Sequence, residues 1–207
     1  MFKKNYNYKN PNKHIIKNKK FIKNFKLLYT KIKDPWNQKK FFFNDKSIII
    51  LDGLINYINK NYNKLNILDI GAGSGILRKK FKKNFSYLGT DIHKREYRQV
   101  VYDDINFINN KFINKFNIIF CLKTIYYVSD NINKVIYNIN RYLRKKGFII
   151  ISYNIKKNSF SNKYLNDIKL RHIMKKNFTE ILTIELNREN FEKLKQEKIT
   201  ILIFKKR

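Results

Sequence analysis

Apolar positions along this chain follow two rhythms that take turns. From Lys46 to Lys60 they fall at helical spacing, with Ile48, Leu51, Ile55 and Ile58 on one side, which predicts a helix with one face against a sheet. The next apolar positions form a short continuous run at Asn66–Ile70, the mark of a buried strand. Helical spacing returns at Ile76–Lys83, with Leu77 and Phe81 inward and the lysines outward. Phe85–Thr90 reads as a second strand ending at Asp91, Val100–Tyr102 as a third, and the unbroken run Phe116–Leu122 as a fourth. An amphipathic helix then runs through Arg144, with Ser129 or Asp130 as its cap and Gly147 as the left-handed residue that closes it. Phe148–Tyr153 is the fifth strand, Leu165–Lys176 a further helix, and Thr179–Leu186 and Ile199–Phe204 two last strands. Strands that alternate with helices predict an α/β domain.

One junction in that pattern carries chemistry. Asn66–Gly75 reads NILDIGAGSG, a buried strand that feeds a glycine-rich turn and a helix start. Gly71, Gly73 and Gly75 let the backbone bend sharply and let a ligand approach closely, and the N–H groups of the following helix are expected to face the same spot. A dinucleotide fingerprint needs Gly-x-Gly-x-x-Gly, which would place its third glycine at position 76, and Ile76 stands there. The spacing is instead Asp69-x-Gly71-x-Gly73-x-Gly75.

The acids are informative because the chain avoids them: 46 lysines and arginines stand against 15 aspartates and glutamates. Between Gly53 and Asn166 the acids are Asp69, Asp91, Glu96, Asp103, Asp104 and Asp130, and four of these six fall at the predicted carboxyl ends of the first three strands, where ligands bind in open α/β sheets. Asp91, some 20 residues beyond the turn, stands where an acid accepts hydrogen bonds from both hydroxyls of a ribose, although a helix-cap aspartate would read the same way.

In its glycine motif the chain resembles the class I S-adenosylmethionine-dependent methyltransferases. The segment Phe116–Asn154 strengthens the likeness: strand, short polar and aromatic loop, Val128-Ser129-Asp130, a helix ending Arg141-x-Leu143-x-x-x-Gly147, and a strand. The resemblance spans about residues 46 to 205. It implies a Rossmann-like seven-stranded sheet, mostly parallel with an antiparallel terminal strand, and helices on both faces. It also implies S-adenosyl-L-methionine as cofactor, held by Asp69, Gly71, Ala72, Gly73, Gly75, Asp91, Ile92, Asp104, Ile105 and Leu122. Asp104 takes the place of the acid that meets the adenine amino group, with Asp103 as its adjacent competitor. Only His93–Gln99 separate the second and third strands, a short crossover similar to that of a compact subgroup of the family.

Methyl transfer from a sulfonium is an in-line displacement, so positioning and exclusion of water matter more than any covalent nucleophile. An oxygen or ammonium acceptor still needs a base. Lys123, Tyr126 and Tyr127 are the catalytic candidates, followed by Tyr153 and His172. Lys123 stands where many family members carry an acid, and Tyr126-Tyr127 where many carry Glu-His. Lys123 suits an acidic acceptor.

Composition adds bounds. The 207 residues hold one domain, expected at 34–207, after a basic extension at 1–33 with eleven lysines and no acid. Asp34-Pro35-Trp36 breaks any helix between them. One cysteine, Cys121, and three scattered histidines predict neither disulfides nor a bound metal. Apolar runs are too short to cross a bilayer and no signal peptide is evident, so a cytoplasmic protein is expected. The formal charge of +31 has two explanations, a nucleic-acid partner or a codon bias toward Lys, Asn, Ile, Phe and Tyr. Three functions follow: methyl transfer to a small-molecule or glycan-type acceptor, RNA methylation using the basic arm, or cofactor binding without turnover. The oligomeric state is not legible.

Overall fold

In the computed structural model, residues 46–92, 99–156, 167–188 and 197–207 are described. The basic extension, Trp36 and the crossover at 93–98 lie outside them. Helix α1 is Lys46–Asn61, followed by β1 (Asn66–Ile70), β2 (Ser86–Asp91), β3 (Val100–Tyr102) and β4 (Phe116–Leu122). Then come α2 (Ile132–Tyr142), β5 (Leu143–Lys156), α3 (Asp167–Met174), β6 (Phe178–Arg188) and β7 (Glu197–Lys206).

The seven strands form one sheet in the order β3-β2-β1-β4-β5-β7-β6. The pairs β1–β2, β2–β3, β1–β4 and β4–β5 are parallel, whereas β7 runs antiparallel to both β5 and β6. Strand β7 is therefore the single reversed strand, as expected.

Alternation along each strand sorts the core into two layers. Ile67, Tyr87, Ile118, Phe120 and Ile150 pack with Leu51, Ile55 and Ile58 of α1 and with Leu77 and Phe81. Leu68, Ile70, Ile119, Cys121, Ile149 and Ile151 pack on the other face with Val135, Ile136 and Ile139 of α2 and Leu170 and Met174 of α3. Each fully buried isoleucine contributes roughly 1.5–3 kcal/mol by leaving water, which is why the central strands carry almost no polar positions.

Three local expectations are corrected. The helix predicted over Ile76–Lys83 is a five-residue 3-10 turn, Ile76–Lys80. Arg78 bonds the carbonyls of Phe81 and Lys82, and Asn59 of α1 takes the Lys80 carbonyl and the Lys82 N–H, so an α-helical ladder has no groups left to continue with. Neither Ser129 nor Asp130 starts α2: a 3-10 segment, Ile125–Asn131, leads into it and Asn131 holds the cap position. The helix also stops at Tyr142 rather than Arg144, and the left-handed residue is Lys146 (φ 63°), not Gly147. Gly147 is needed for space, since a Cβ there would lie 2.9 Å from the Arg144 carbonyl oxygen and 3.0 Å from that of Asn117.

Candidate functional site

The carboxyl ends of β1, β2 and β3 lie side by side, because Ile70 pairs with Thr90 and Asp91 with Tyr102. Chain order reverses between β1 and its other neighbour β4, which opens a crevice at the sheet edge. Into that edge fall the glycine turn after β1, Asp91 and Ile92 after β2, Asp103 and Asp104 after β3, and Leu122, Lys123 and Thr124 after β4. Topology thus gathers residues as far apart in the chain as Gly71 and Thr124.

The turn is buckled onto β2. The N–H groups of Gly71 and Ala72 both donate to the Thr90 carbonyl, at 2.8 and 2.9 Å, and the Gly73 N–H donates to Asp91 Oδ2 at 3.0 Å. Gly71, Gly73 and Gly75 all have positive φ, as the turn requires. At Gly71 the missing side chain serves the protein itself, since a Cβ would overlap the Thr124 side chain and lie 2.6 Å from its Cγ2. Thr124 in turn donates to the Leu122 carbonyl at 3.0 Å, which fixes the loop after β4 against the turn. The expected row of helix N–H groups aimed at a ligand is not formed, because only the short 3-10 turn follows Gly75.

Asp69 and Asp91 are buried, at 5% and 6% exposure. Asp69 Oδ2 accepts a 2.6 Å hydrogen bond from the Tyr87 hydroxyl, and burial, with the nearby Asp91 charge, pushes its carboxyl up to about 7 despite that bond. Burial and the Asp69 charge push the Tyr87 phenol upward, so it remains the donor. Asp103 and Asp104 are half-buried. Asp103 accepts from Asn109 Nδ2 at 2.9 Å and burial raises its carboxyl, whereas Asp104 Oδ1 accepts from the N–H and the side-chain amide of Asn106. Ile92 and Leu122 are half-buried at the edge, but Ile105 points into the α2-side core and its carbonyl accepts from Asn138.

On the acceptor side, Lys123 adopts φ 54° and its N–H donates to the Ser152 carbonyl at 2.7 Å, so the loop is stitched to β5 with Lys123 half-buried at the rim. Tyr127 is half-buried beside it, and the side chain of Tyr126 lies outside the described residues. Of the other base candidates, Tyr153 donates its hydroxyl to Asp167, and burial together with that carboxylate raises its pKa, so it stays protonated. His172 is exposed on α3. Burial likewise raises the Cys121 thiol, which keeps it inert. Among the described residues no His, Cys, Asp and Glu group is placed to hold a metal, and no helix is long and apolar enough to cross a membrane.

Sequence reasoning missed Tyr87, Thr124, Ser152 and Asn138. Tyr87 alone left a trace, a hydroxyl-bearing residue on the strand that ends at Asp91. The donor set fits a cationic nucleoside: carboxylates at three strand ends, with no described base paired to Asp69, and a turn without side chains between them.

Known proteins agree. A family model described as "Methyltransferase domain" matches residues 41–194. Among solved structures, the fold resembles the N-methyltransferase NodS from Bradyrhizobium japonicum WM9 bound to S-adenosyl-L-homocysteine, with TM-score 0.61, 13% identity, and coverage of 84% of this chain and 92% of that one. It also resembles a putative methyltransferase from Bacillus halodurans (TM-score 0.59, 10% identity, 74% and 97% coverage). The [4+2]-cyclase SpnF gives TM-score 0.57 at 12% identity, covering 75% and 79%. A search of curated protein sequences returns no match. With the glycine turn, the strand-end carboxylates and the strand order all in place, the family match over most of its length makes this chain a member of the methyltransferase domain family, of the class I, S-adenosylmethionine-dependent kind.

Proposed function

We propose that the protein transfers a methyl group from S-adenosyl-L-methionine to a small-molecule or glycan-type acceptor by in-line displacement. The observation that carries this reading is the placement of Asp69 and Asp91, two buried carboxyls at neighbouring strand ends under a glycine turn, in a chain of net charge +31 that otherwise avoids acids. When bound, S-adenosylmethionine supplies an electrophilic methyl on a sulfonium. Asp91 would accept from the ribose hydroxyls and Asp104, or its neighbour Asp103, from the adenine amino group, with Gly71 to Gly75, Ala72, Ile92 and Leu122 lining the bed and Ile105 anchoring its segment in the core. Lys123, Tyr126 and Tyr127 border the acceptor, with Lys123 offering a cation to an acidic group.

The acceptor does not follow from the fold: the similar structures include an N-methyltransferase, a carbon methyltransferase and a cyclase. A small acceptor is favoured because the methyltransferase core uses nearly all of the described residues. Calorimetry with S-adenosylhomocysteine tests the cofactor, with Asp91→Asn expected to weaken binding at least tenfold; absence of heat from the native chain would refute it. Labelled-methyl transfer into cell extract, separated into small molecules, glycans and RNA, tests the acceptor. Lys123→Glu is expected to raise the acceptor KM and leave cofactor binding unchanged.

One observation favours an RNA acceptor as a second reading. Lys134, Tyr137 and Arg141 form an exposed stripe at helical spacing on α2, beside the exposed Phe107, whose ring lies 5.0 Å from Lys134 Nζ. Cations interleaved with exposed aromatics suit single-stranded nucleic acid. Label recovered in RNA, and lost on Tyr137→Ala, selects this reading.

A further inference from the structure

Helix α2 and the segment 103–115 between β3 and β4 lie side by side at the surface. Lys134, Tyr137 and Arg141 are exposed at helical spacing, so they form one row along the eleven residues of α2, a length of about 16 Å. The preceding segment supplies a second row. Asn138 donates to the Ile105 carbonyl, the Asn109 N–H donates to the Tyr142 hydroxyl, and the N–H groups of Asn114 and Lys115 donate to the carbonyls of Arg141 and Tyr142. These bonds lay Phe107, Ile108, Lys111 and Lys115, all exposed, along the flank of the helix. Lys134 Nζ stands 5.0 Å from the centroid of the Phe107 ring, which joins the two rows near the start of α2.

Two features set this face apart from the lysine spread over the rest of the chain. From Ile105 to Lys156 the sequence has a single acid, Asp130, which precedes α2. Asp103 and Asp104, at the head of the segment, are half-buried and already accept from Asn109 and Asn106. Ion pairs among the described residues lie elsewhere, Lys80 with Asp52 and Arg171 with Asp167 and Glu180. The second feature is a pair of rings in water: Phe107 is 66% exposed and Tyr137 52%, and both stand among the cations. Codon bias explains how many lysines and aromatics the chain carries. It does not explain why rings and cations share one exposed face from which acids are left out.

Cations alone suit any polyanion, but rings open to solvent suit one whose bases are free to stack on them. A duplex keeps its bases stacked inside, whereas a single strand can splay them out. We infer that α2 and residues 105–115 form a docking track for single-stranded RNA. Lys111, Lys134 and Arg141 meet phosphates, and Tyr137 and Phe107 receive bases on their ring faces. The inference goes beyond the choice of methyl acceptor, because the track binds RNA without the cofactor and whether or not that RNA receives the methyl group. Its charge complementarity is local, so it depends on these positions and not on the net charge of the chain.

Fluorescence anisotropy of the full chain with a labelled twelve-nucleotide oligouridylate, without cofactor and at several salt concentrations, tests this. Tyr137→Ala and Phe107→Ala are each expected to weaken binding about tenfold with no change in its salt dependence, as loss of stacking requires. Lys134→Gln with Arg141→Gln should lower the slope of log affinity against log salt by about 1.4, as loss of two phosphate contacts on a single strand requires. Lys82→Gln with Lys83→Gln removes the same charge from exposed positions after the 3-10 turn and should leave the slope as it is. The same oligouridylate annealed to oligoadenylate should bind at least fivefold more weakly. Equal losses from the two lysine and arginine pairs, affinity untouched by both aromatic changes, or a duplex bound as tightly as the single strand would mean diffuse charge and overturn the proposal. Binding to phosphatidylserine vesicles with none to the oligonucleotide would assign the face to a membrane and overturn it too. Either failure leaves methyl transfer to a small acceptor standing, and failure of methyl transfer leaves the track standing.

Discussion

Gly71 and Asp69 show how single residues carry the site. In Gly71→Ala the left-handed backbone (φ 73°) costs about 1–2 kcal/mol, and crowding by Thr124 adds about 1–3 kcal/mol. Chemical denaturation is expected to show a loss of roughly 2–5 kcal/mol, of which adding Thr124→Ala restores only part, by relieving the crowding from Oγ1 and Cγ2. Full recovery in the double variant would mean that φ is not a constraint there. Asp69 makes a pH prediction whose sign follows from its raised carboxyl. The native state binds a proton that the unfolded chain has already lost, so this residue's contribution falls as pH rises from the unfolded value of 3.8 to about 7, then levels off. The stability difference between Asp69→Asn and the native chain should grow in favour of the variant across that window. A constant difference from pH 4 to 8 would show that Asp69 ionises normally in the fold.

At the scale of elements, the strap from Asp103 to Asn109 is held to α2 by polar bonds as well as by the buried Ile105. Asn138, fully buried, donates to the Ile105 carbonyl at 2.8 Å, and the Tyr142 hydroxyl accepts from the Asn109 N–H at 2.6 Å. Asn138→Leu should leave the Ile105 carbonyl unsatisfied, cost about 1–3 kcal/mol, and weaken S-adenosylhomocysteine binding severalfold by loosening the strap that carries Asp103 and Asp104. Weakened stability with unchanged affinity would show that the strap holds its place without α2. The same contrast explains what the sequence could reveal. Strands β3 and β4 were legible to the residue, because Val100–Tyr102 and Phe116–Leu122 are mainly apolar runs flanked by polar positions, although in the short edge strand β3 only Val100 is buried. Asp91, Asp103 and Asp104 were legible as strand-end acids for the same reason. The 3-10 turn after Gly75 was not, since what ends it is the side chain of Asn59 from another element, and local spacing says nothing about that bond. Nor was Lys146 as the left-handed residue, because the close passage of Gly147 past Asn117 decides the geometry there.

For the molecule as a whole, the net charge of +31 sets a repulsion that the fold must withstand whatever the lysines do in function. Compact packing brings those charges nearer together than the unfolded chain does, so electrostatics oppose folding most strongly at low ionic strength. Screening acts over about 10 Å at 0.1 M salt and about 3 Å at 1 M, which spans the separations between neighbouring surface lysines. Relief of repulsion by roughly 1–3 kcal/mol would raise Tm by several degrees for a chain of this size. Thermal unfolding followed by circular dichroism should therefore show Tm climbing by roughly 5 °C between 20 and 300 mM sodium chloride and flattening beyond. Sodium sulfate at matched ionic strength separates diffuse screening from occupancy of a particular anion site: screening predicts superimposable curves at low ionic strength, whereas a site predicts an excess with sulfate that saturates. A Tm that stays level or falls with chloride would mean that the attractive pairs, such as Arg171 with Asp167 and Lys80 with Asp52, outweigh the repulsion despite the excess of lysine. The charge would then have to be read as held in place by local partners, and the exposed stripe on α2 would lose its standing as a surplus of cations open to a polyanion.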